Sequence, residues 1–130
     1  MAGSVVVEYS SGLPVWRVTL TWVSDSSGNV SGTLTTRLSG TLVRVVFDPS
    51  ANPAPSAGYD VTLLDERGID LLAGLGGNLS ASATSHTIPG VPMTDGTTTG
   101  VGLAQIEDAL ELRVANAGNA TRGVVVLYLR

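Results

Sequence analysis

The clearest strand-and-turn pattern lies at the middle of the chain, in Tyr59-Asp60-Val61-Thr62-Leu63-Leu64-Asp65-Glu66-Arg67-Gly68-Ile69-Asp70-Leu71-Leu72. In an extended chain Tyr59, Val61 and Leu63 point to one side and the residues between them to the other. Residues 65–68 are typical of a turn, because Asp favours the first position and Gly supplies a positive φ at the exit. We therefore predict a hairpin in which residues 69–72 form the return strand.

Long connections flank this hairpin. Residues 48–58 contain Pro49, Pro53 and Pro55, and each Pro biases the preceding residue towards an extended backbone. Residues 73–78 are Gly-rich but lack the spacing and the Lys of a phosphate-binding loop, which favours a flexible connection. Residues 89–102 are predicted to form a second long loop, rich in Thr and Gly. Long loops in compact domains often make contacts, so we expect a partner to bind at the loops 48–58 and 89–102.

The longest predicted strand is residues 14–24. Its apolar side chains alternate strictly, with Trp16, Val18, Leu20 and Trp22 on one face, which indicates a strand buried on that side. Further strands are predicted at residues 4–9, 30–38, 41–47, 80–88, 109–116 and 123–129. Turns are predicted at 25–29, 39–40 and 117–120, and a helical turn or an irregular lead-in at 103–108.

Two of these strands are apolar on both faces, residues 41–47 and 123–129. Such a strand either lies at the centre of a sheet or is covered by another molecule. No capped segment with helical periodicity is present, and the strands recur every 8–12 residues with Gly-marked turns. The sequence therefore predicts one all-β domain over residues 1–130, an antiparallel β-sandwich or a jelly-roll-like small barrel with long loops.

The composition excludes several classes of partner. Charged residues are 14% of the chain, below the usual quarter, and the net charge is −4 with no cluster of basic residues. A nucleic-acid surface and an anionic membrane surface both need clustered cations, so we expect neither partner. Hydrophobic residues make up 43% and the mean hydropathy is +0.29. This balance favours a surface that a protein partner partly covers.

The sequence shows no stretch typical of a targeting signal. No apolar run approaches the ~20 residues that span a bilayer. The short run Val5-Val6-Val7 has no basic residue before it and is shorter than a signal-peptide core. We therefore expect a protein that is made inside the cell and is not processed.

Catalytic residue types are sparse. The chain has no Cys, which excludes disulfides and thiol chemistry, and its one histidine is His86. Ser85 is next to it, but neighbours on a strand point to opposite faces, and no Gly-x-Ser-x-Gly motif exists. The acidic pairs 65/66 and 107/108 are neighbours in turns rather than groups facing across a cleft. We expect no enzyme, no bound cofactor and no metal site.

Three stretches together resemble the small β-rich virion proteins of tailed bacteriophages. They are Val18-Thr19-Leu20-Thr21-Trp22-Val23-Ser24-Asp25, Gly58-Tyr59-Asp60-Val61-Thr62-Leu63-Leu64-Asp65 and Leu112-Arg113-Val114-Ala115-Asn116-Ala117-Gly118-Asn119-Ala120. Within that group the chain is most similar to capsid decoration (cement) proteins. The resemblance implies a single β domain, often trimeric, that sits on the capsid exterior and resists the pressure of the packaged DNA.

The resemblance implies a set of partners and a location. The chain would bind the major capsid protein, form a homotrimer or another homo-oligomer, and reside in the virion after synthesis in the host cytoplasm. The expected partner-binding residues come from the two long loops and one face of the last strand; they are Pro49, Pro53, Pro55, Thr97, Thr98, Thr99, Val124, Val126 and Tyr128.

Two alternatives stay open. One is a head–tail connector or tail structural protein of the same kind of virion. The other, from a different class, is a carbohydrate-binding β-sandwich module, which needs exposed aromatic side chains on a sheet face. The pattern of residues 14–24 predicts instead that Trp16 and Trp22 face the core.

Overall fold

The computed structural model describes residues 3–10, 15–49, 53–89, 91–94, 99–102 and 104–130. Within these ranges the regular structure consists of strands and contains no helix. The strands are β1 (Ser4–Ser10), β2 (Trp16–Val23), β3 (Leu38–Pro49), β4 (Asp60–Leu64), β5 (Ser85–Thr87), β6 (Val91–Thr94), β7 (Thr99–Gly102), β8 (Ala104–Asp108), β9 (Glu111–Ala115) and β10 (Arg122–Leu129).

The strands form two main sheets, and every pairing between named strands is antiparallel. Sheet 1 has the order β1-β2-β10-β3-β5. The long strand β3 pairs along one edge with both β8, at its first part, and β5, at its later part. Sheet 2 is the pair β4-β9, which isolated bridges extend to Val30 and Leu34. The strands β6 and β7 form a separate hairpin.

The core lies between sheets 1 and 2. Alternate residues of β2 and β10 point into it from one side, and alternate residues of β4 and β9 from the other. All of these side chains are at most 3% exposed; they are Val18, Leu20, Trp22, Val125, Leu127, Leu129, Val61, Leu63, Leu112 and Val114. The predicted β-sandwich is thus confirmed, as are the strands predicted within residues 14–24, 109–116 and 123–129.

Trp22 is the largest buried side chain and lies against Tyr59, with ring centroids 5.8 Å apart and planes tilted by 46°. Its strand partner on β10 is Gly123. A Cβ at Gly123 would lie 2.6 Å from Cε2 of the indole, closer than real Cβ contacts. Gly123 therefore makes room for the Trp22 ring in the core.

The predicted central hairpin is only half correct. Its turn is present, with Gly68 N–H donating to the Asp65 carbonyl at 3.1 Å. Residues 69–72, however, are not a strand: they meet β4 through the isolated bridge between Leu64 and Asp70, and β4 forms its ladder with β9. The Asp70 carboxylate accepts hydrogen bonds from the N–H groups of Leu72 and Gly74 and so draws this backbone into consecutive turns.

Two predictions about residues 30–40 are wrong. Residues 30–38 do not pair back on β2, because the loop at 25–29 crosses to sheet 2, where Val30 and Val114 exchange two hydrogen bonds. Gly40 is not a turn but lies inside β3 with φ +133°. A Cβ there would lie 3.1 Å from the Arg130 carbonyl oxygen, and the pairing of β3 with β10 shifts register at Leu129. The glycine marks an irregular, close approach of two strands.

Three predictions about residues 80–108 are also wrong. The strand expected at 80–88 shrinks to β5, and part of the loop expected at 89–102 is the β6–β7 hairpin. The helical turn or irregular lead-in expected at 103–108 is β8, which pairs with Leu38–Leu42 of β3. Gly and Thr indicated a loop at 89–102, whereas β6 and β7 pair with each other. The edge of β3 supplies the hydrogen-bond partners of β8, which a sequence pattern does not reveal.

Candidate functional site

The side of sheet 1 that points away from the core carries the surface that we call the outer face. Its residues alternate with core residues along each strand, and the strand register places them side by side. They are Val6 and Glu8 on β1, Arg17, Thr19 and Thr21 on β2, Val124, Val126 and Tyr128 on β10, Arg44, Val46 and Asp48 on β3, and His86 on β5.

The centre of the outer face is apolar. Val126 lies opposite Thr19 on one side and Val46 on the other, and Val124 lies opposite Thr21. All five side chains are partly accessible to solvent. They form a continuous patch of methyl groups that nothing in the described part of the chain covers.

One end of the outer face is an aromatic ring between two arginines. Tyr128 lies opposite Arg17 on β2 and Arg44 on β3. The Arg44 Cζ is 5.4 Å from the centre of the Tyr128 ring, a cation–π distance. Arg44 Nε also donates to His86 Nδ1 at 3.0 Å. The guanidinium of Arg44 is therefore held over the ring with its orientation fixed.

Acidic groups lie at other positions on the outer face. Asp48 is on β3, where Thr84 Oγ1 donates to Asp48 Oδ1 at 3.2 Å, and Glu8 is on the edge strand β1. The outer face thus has an apolar centre, a cationic end and acidic groups at other positions. This arrangement fits a protein surface of complementary charge.

The structure brings together only part of the predicted site. Val124, Val126 and Tyr128 lie in one column on the outer face, as their alternation indicated. Pro49 ends β3 opposite Gly123. Pro53 is exposed and its carbonyl accepts the Arg122 N–H at 3.0 Å.

Pro55 does not join this surface. Pro55 is buried, so its ring is not available to a partner in this arrangement. Thr99 begins β7 rather than lying in a loop. Thr97 and Thr98 lie outside the described residues.

Sequence reasoning missed the neighbours of the β10 column. The alternation of residues 14–24 puts Arg17 on the face opposite Trp16, as in the structure, but nothing in the pattern places β2 next to β10. Arg44, Val46 and His86 join only because β3 and β5 follow in the sheet order. The two-faced apolar pattern of residues 41–47 was the available signal.

The described contacts of His86, Glu66 and Asp108 are hydrogen bonds within the fold. The His86 ring accepts a hydrogen bond from Arg44. In a catalytic triad the histidine is instead oriented by a carboxylate, a role that the cationic Arg44 cannot take. Glu66 N–H donates to Asp108 Oδ2 and Glu66 Oε1 accepts the Ala109 N–H, so these carboxylates join two loops. Among the described residues, no group of three or more potential ligand side chains is placed to hold a metal ion. The same residues include no helix of a length and hydropathy that would cross a membrane.

Sheet 2 has a shallow depression of about 480 Å³ on its own exposed side, lined partly by Asp60, Thr62 and Arg113. Its charged groups are already paired within the chain. Arg113 Nε donates to Glu111 Oε2 at 2.9 Å, and this guanidinium, followed by the Gly32 N–H, holds the pKa of Glu111 below its usual range. Asp60 accepts from the Asn116 side chain and the Asn78 N–H. The outer face of sheet 1 is the stronger candidate for a contact surface.

No protein-family model matches the chain, and no characterised protein matches its sequence. Among solved structures, the chain is similar to the low-affinity xylan-binding module CBM86 from the xylanolytic gut symbiont Roseburia intestinalis. The TM-score is 0.36 at 14% identity, over 98% of this chain and 85% of that one. Likeness at this level leaves open what the present chain binds.

Proposed function

We propose that this chain is a structural virion protein of a tailed bacteriophage, a capsid decoration protein that binds the major capsid protein through the outer face. The observation that carries the proposal is the uncovered patch around Val126. A sheet face exposed to water normally alternates polar residues with the buried ones, whereas here Val124, Val126 and Val46 occupy the outward positions.

The rest of the outer face supports a protein partner. The sheet backbone fixes the side chains of the patch, so little conformational entropy is lost when a flat partner surface covers them. Arg17 and Arg44 lie at one end, where they can pair with carboxylates of a shell protein. The resemblance of three stretches of the chain to virion proteins supports the major capsid protein as that partner.

The test is thermal release of DNA from phage particles that carry this protein. Particles stripped of it are expected to release DNA at a lower temperature, and adding back the wild-type chain is expected to restore the original value. The Val126→Glu variant places a carboxylate in the middle of the patch and is expected not to restore it. Leu75→Glu, a 50% exposed position in the turns beside β4 of sheet 2, is the matched control and is expected to restore release fully.

Equal release temperatures for stripped and intact particles would refute the cement function. Copy number then separates the related alternative. A decoration protein is present in many copies per shell, whereas a head–tail connector or tail protein is present in a few copies at one vertex. Quantitative mass spectrometry of purified particles against the major capsid protein measures this ratio.

A second candidate function is carbohydrate binding, which Tyr128 favours. Its ring is on an open sheet face between two arginines, and an aromatic ring beside hydrogen-bond donors is the arrangement that holds a sugar. Trp22 is fully buried and Trp16 packs partly against the core, so neither extends this platform.

Affinity electrophoresis in gels containing xylan and other soluble polysaccharides tests this candidate. Retardation that Tyr128→Ala abolishes and Tyr9→Ala preserves would establish carbohydrate binding and displace the cement proposal. Equal migration with and without every polysaccharide would remove the candidate.

A further inference from the structure

The free edge of sheet 1 at β1 leads to an inference that does not depend on the proposed function. The strand β1 pairs with β2 over all seven residues, Ser4–Ser10, without a register shift. Within the described residues, no strand pairs with its other edge. In an antiparallel ladder every second residue of an edge strand directs its N–H and C=O groups away from the sheet, so this edge offers unpaired donors and acceptors.

The β1 edge lacks the devices that usually protect an edge. It has no Pro, no Lys and no bulge, and its only charged residue is Glu8. Val6 is 60% exposed and Tyr9 45% exposed. Two other edges of the fold differ: β5 has three residues, and the free side of β4 is covered by the turns at 71–79, where Val61 N–H donates to the Gly76 carbonyl.

The sequence of β1 is complementary to itself in one antiparallel register. Centred on Val7, this register sets Ser4 opposite Ser10, Val5 opposite Tyr9 and Val6 opposite Glu8 of a second copy. An aromatic ring opposite a β-branched residue is a favourable cross-strand pair, and no carboxylate faces another. The pairing uses every residue of the strand.

The neighbouring registers are worse. A shift that centres the pairing on Glu8 sets two carboxylates directly opposite each other, which destabilises the pair. A shift that centres it on Val6 leaves Tyr9 opposite Gly3 and loses the aromatic contact. A slip of one strand by a single residue, which would set Val6 opposite Val7, would place an outward-pointing residue opposite an inward-pointing one and break the ladder.

We propose that two copies of this chain join through antiparallel β1–β1 pairing centred on Val7. The interface is two-fold and isologous, and it makes one continuous sheet of the two copies of sheet 1. The two-fold axis is perpendicular to that sheet, so both outer faces point the same way. This pairing gives a dimer rather than the trimer that resemblance implied.

Sedimentation velocity on the purified full chain over a dilution series tests the proposal. The wild type is expected to form a species of twice the 13.3 kDa chain mass. Val6→Glu sets a carboxylate against Glu8 of the second copy at two places, and we expect it to weaken the dimer at least about tenfold. Val6→Arg instead sets a guanidinium against the same Glu8 and is expected to retain the dimer.

The charge swap gives the decisive comparison. Glu8→Arg combined with Val6→Glu restores opposite charges at both places and is expected to recover the dimer. Ile88→Glu, 70% exposed beyond β5 at the opposite edge, is the control and is expected to leave it intact. A wild-type monomer at every concentration, a trimer, or equal weakening by Val6→Glu and Val6→Arg would overturn the proposal. Circular dichroism of each variant separates a lost interface from a lost fold.

Discussion

The substitution Gly123→Ala tests how tightly the core is packed around Trp22. The added Cβ would lie 2.6 Å from Cε2 and 2.9 Å from Nε1 of the indole. Trp22 is fully buried and Tyr59 packs on it, so the ring has no free space to move into. Either the ring or strand β10 must shift, and β10 is held on both sides by β2 and β3.

Two opposing effects set the magnitude. Replacing Gly by Ala where the backbone allows it stabilises a protein by about 0.4–1 kcal/mol, because the unfolded chain loses freedom. Overpacking a rigid core costs about 1–3 kcal/mol, and the closeness of this contact favours the upper end. We expect a net loss of about 2 kcal/mol in the free energy of unfolding and a fall in Tm of roughly 6–10 °C for a domain of this size.

Urea unfolding followed by tryptophan fluorescence measures this change. The matched control is Gly77→Ala, because Gly77 has no left-handed φ and its nearest non-neighbouring atom would be 3.4 Å from the new Cβ. The double variant Trp22→Phe with Gly123→Ala, followed by circular dichroism, removes the overlapping ring. We expect the alanine to cost at least about 1 kcal/mol less in that background. A stability of Gly123→Ala equal to that of Gly77→Ala would refute this account of the core.

Three further predictions concern single side chains. Ser24→Ala leaves the Thr121 N–H and the Gly118 carbonyl without their hydrogen-bond partner, which lies at 2.9 and 2.6 Å. We expect the free energy of unfolding measured in urea to fall by about 1–3 kcal/mol. An equal fall in the exposed control Ser26→Ala would contradict this. Burial, with the Asp48 charge adding, raises the pKa of Tyr59 to about 12, so the folded chain keeps a proton that the unfolded chain loses near pH 10. Stability is therefore expected to fall by up to about 2–3 kcal/mol between pH 10 and 12, and a decline of equal slope in Tyr59→Phe would show that other groups cause it. Asp70→Ala removes the acceptor of the Leu63, Leu72 and Gly74 N–H groups. We expect faster amide exchange at Leu63 and at residues 70–76, whereas exchange equal to wild type would contradict the role of Asp70.

The elements that sequence predicted well are those in which one face alternates cleanly. Residues 14–24, 109–116 and 123–129 became β2, β9 and β10 because a strand buried on one side leaves a period of two in its own residues. The two-faced apolar pattern of residues 123–129 also left two explanations open. The strand β10 does lie at the centre of sheet 1, between β2 and β3, but its outward side chains Val124 and Val126 stay partly accessible, so central position alone does not account for the pattern.

The elements that sequence missed depend on partners far along the chain. Residues 69–72 were predicted as a strand, but the Asp70 carboxylate accepts the N–H groups of Leu72 and Gly74, and the backbone turns away after one bridge to Leu64. Gly40 read as a turn, although it marks a close approach to Arg130 at the other end of the chain. The outer face was predicted only along β10, because the strand order that adds Arg17, Arg44 and Val46 comes from pairings between distant segments.

The central claim is that the outer face of sheet 1 binds a protein lattice, and an electron cryomicroscopy map of the decorated shell tests it most directly. The account predicts density for this chain at many equivalent positions, with Val126 and Tyr128 turned towards the major capsid protein. Shell density without this chain, or a bound chain with its outer face turned towards solvent, would contradict it.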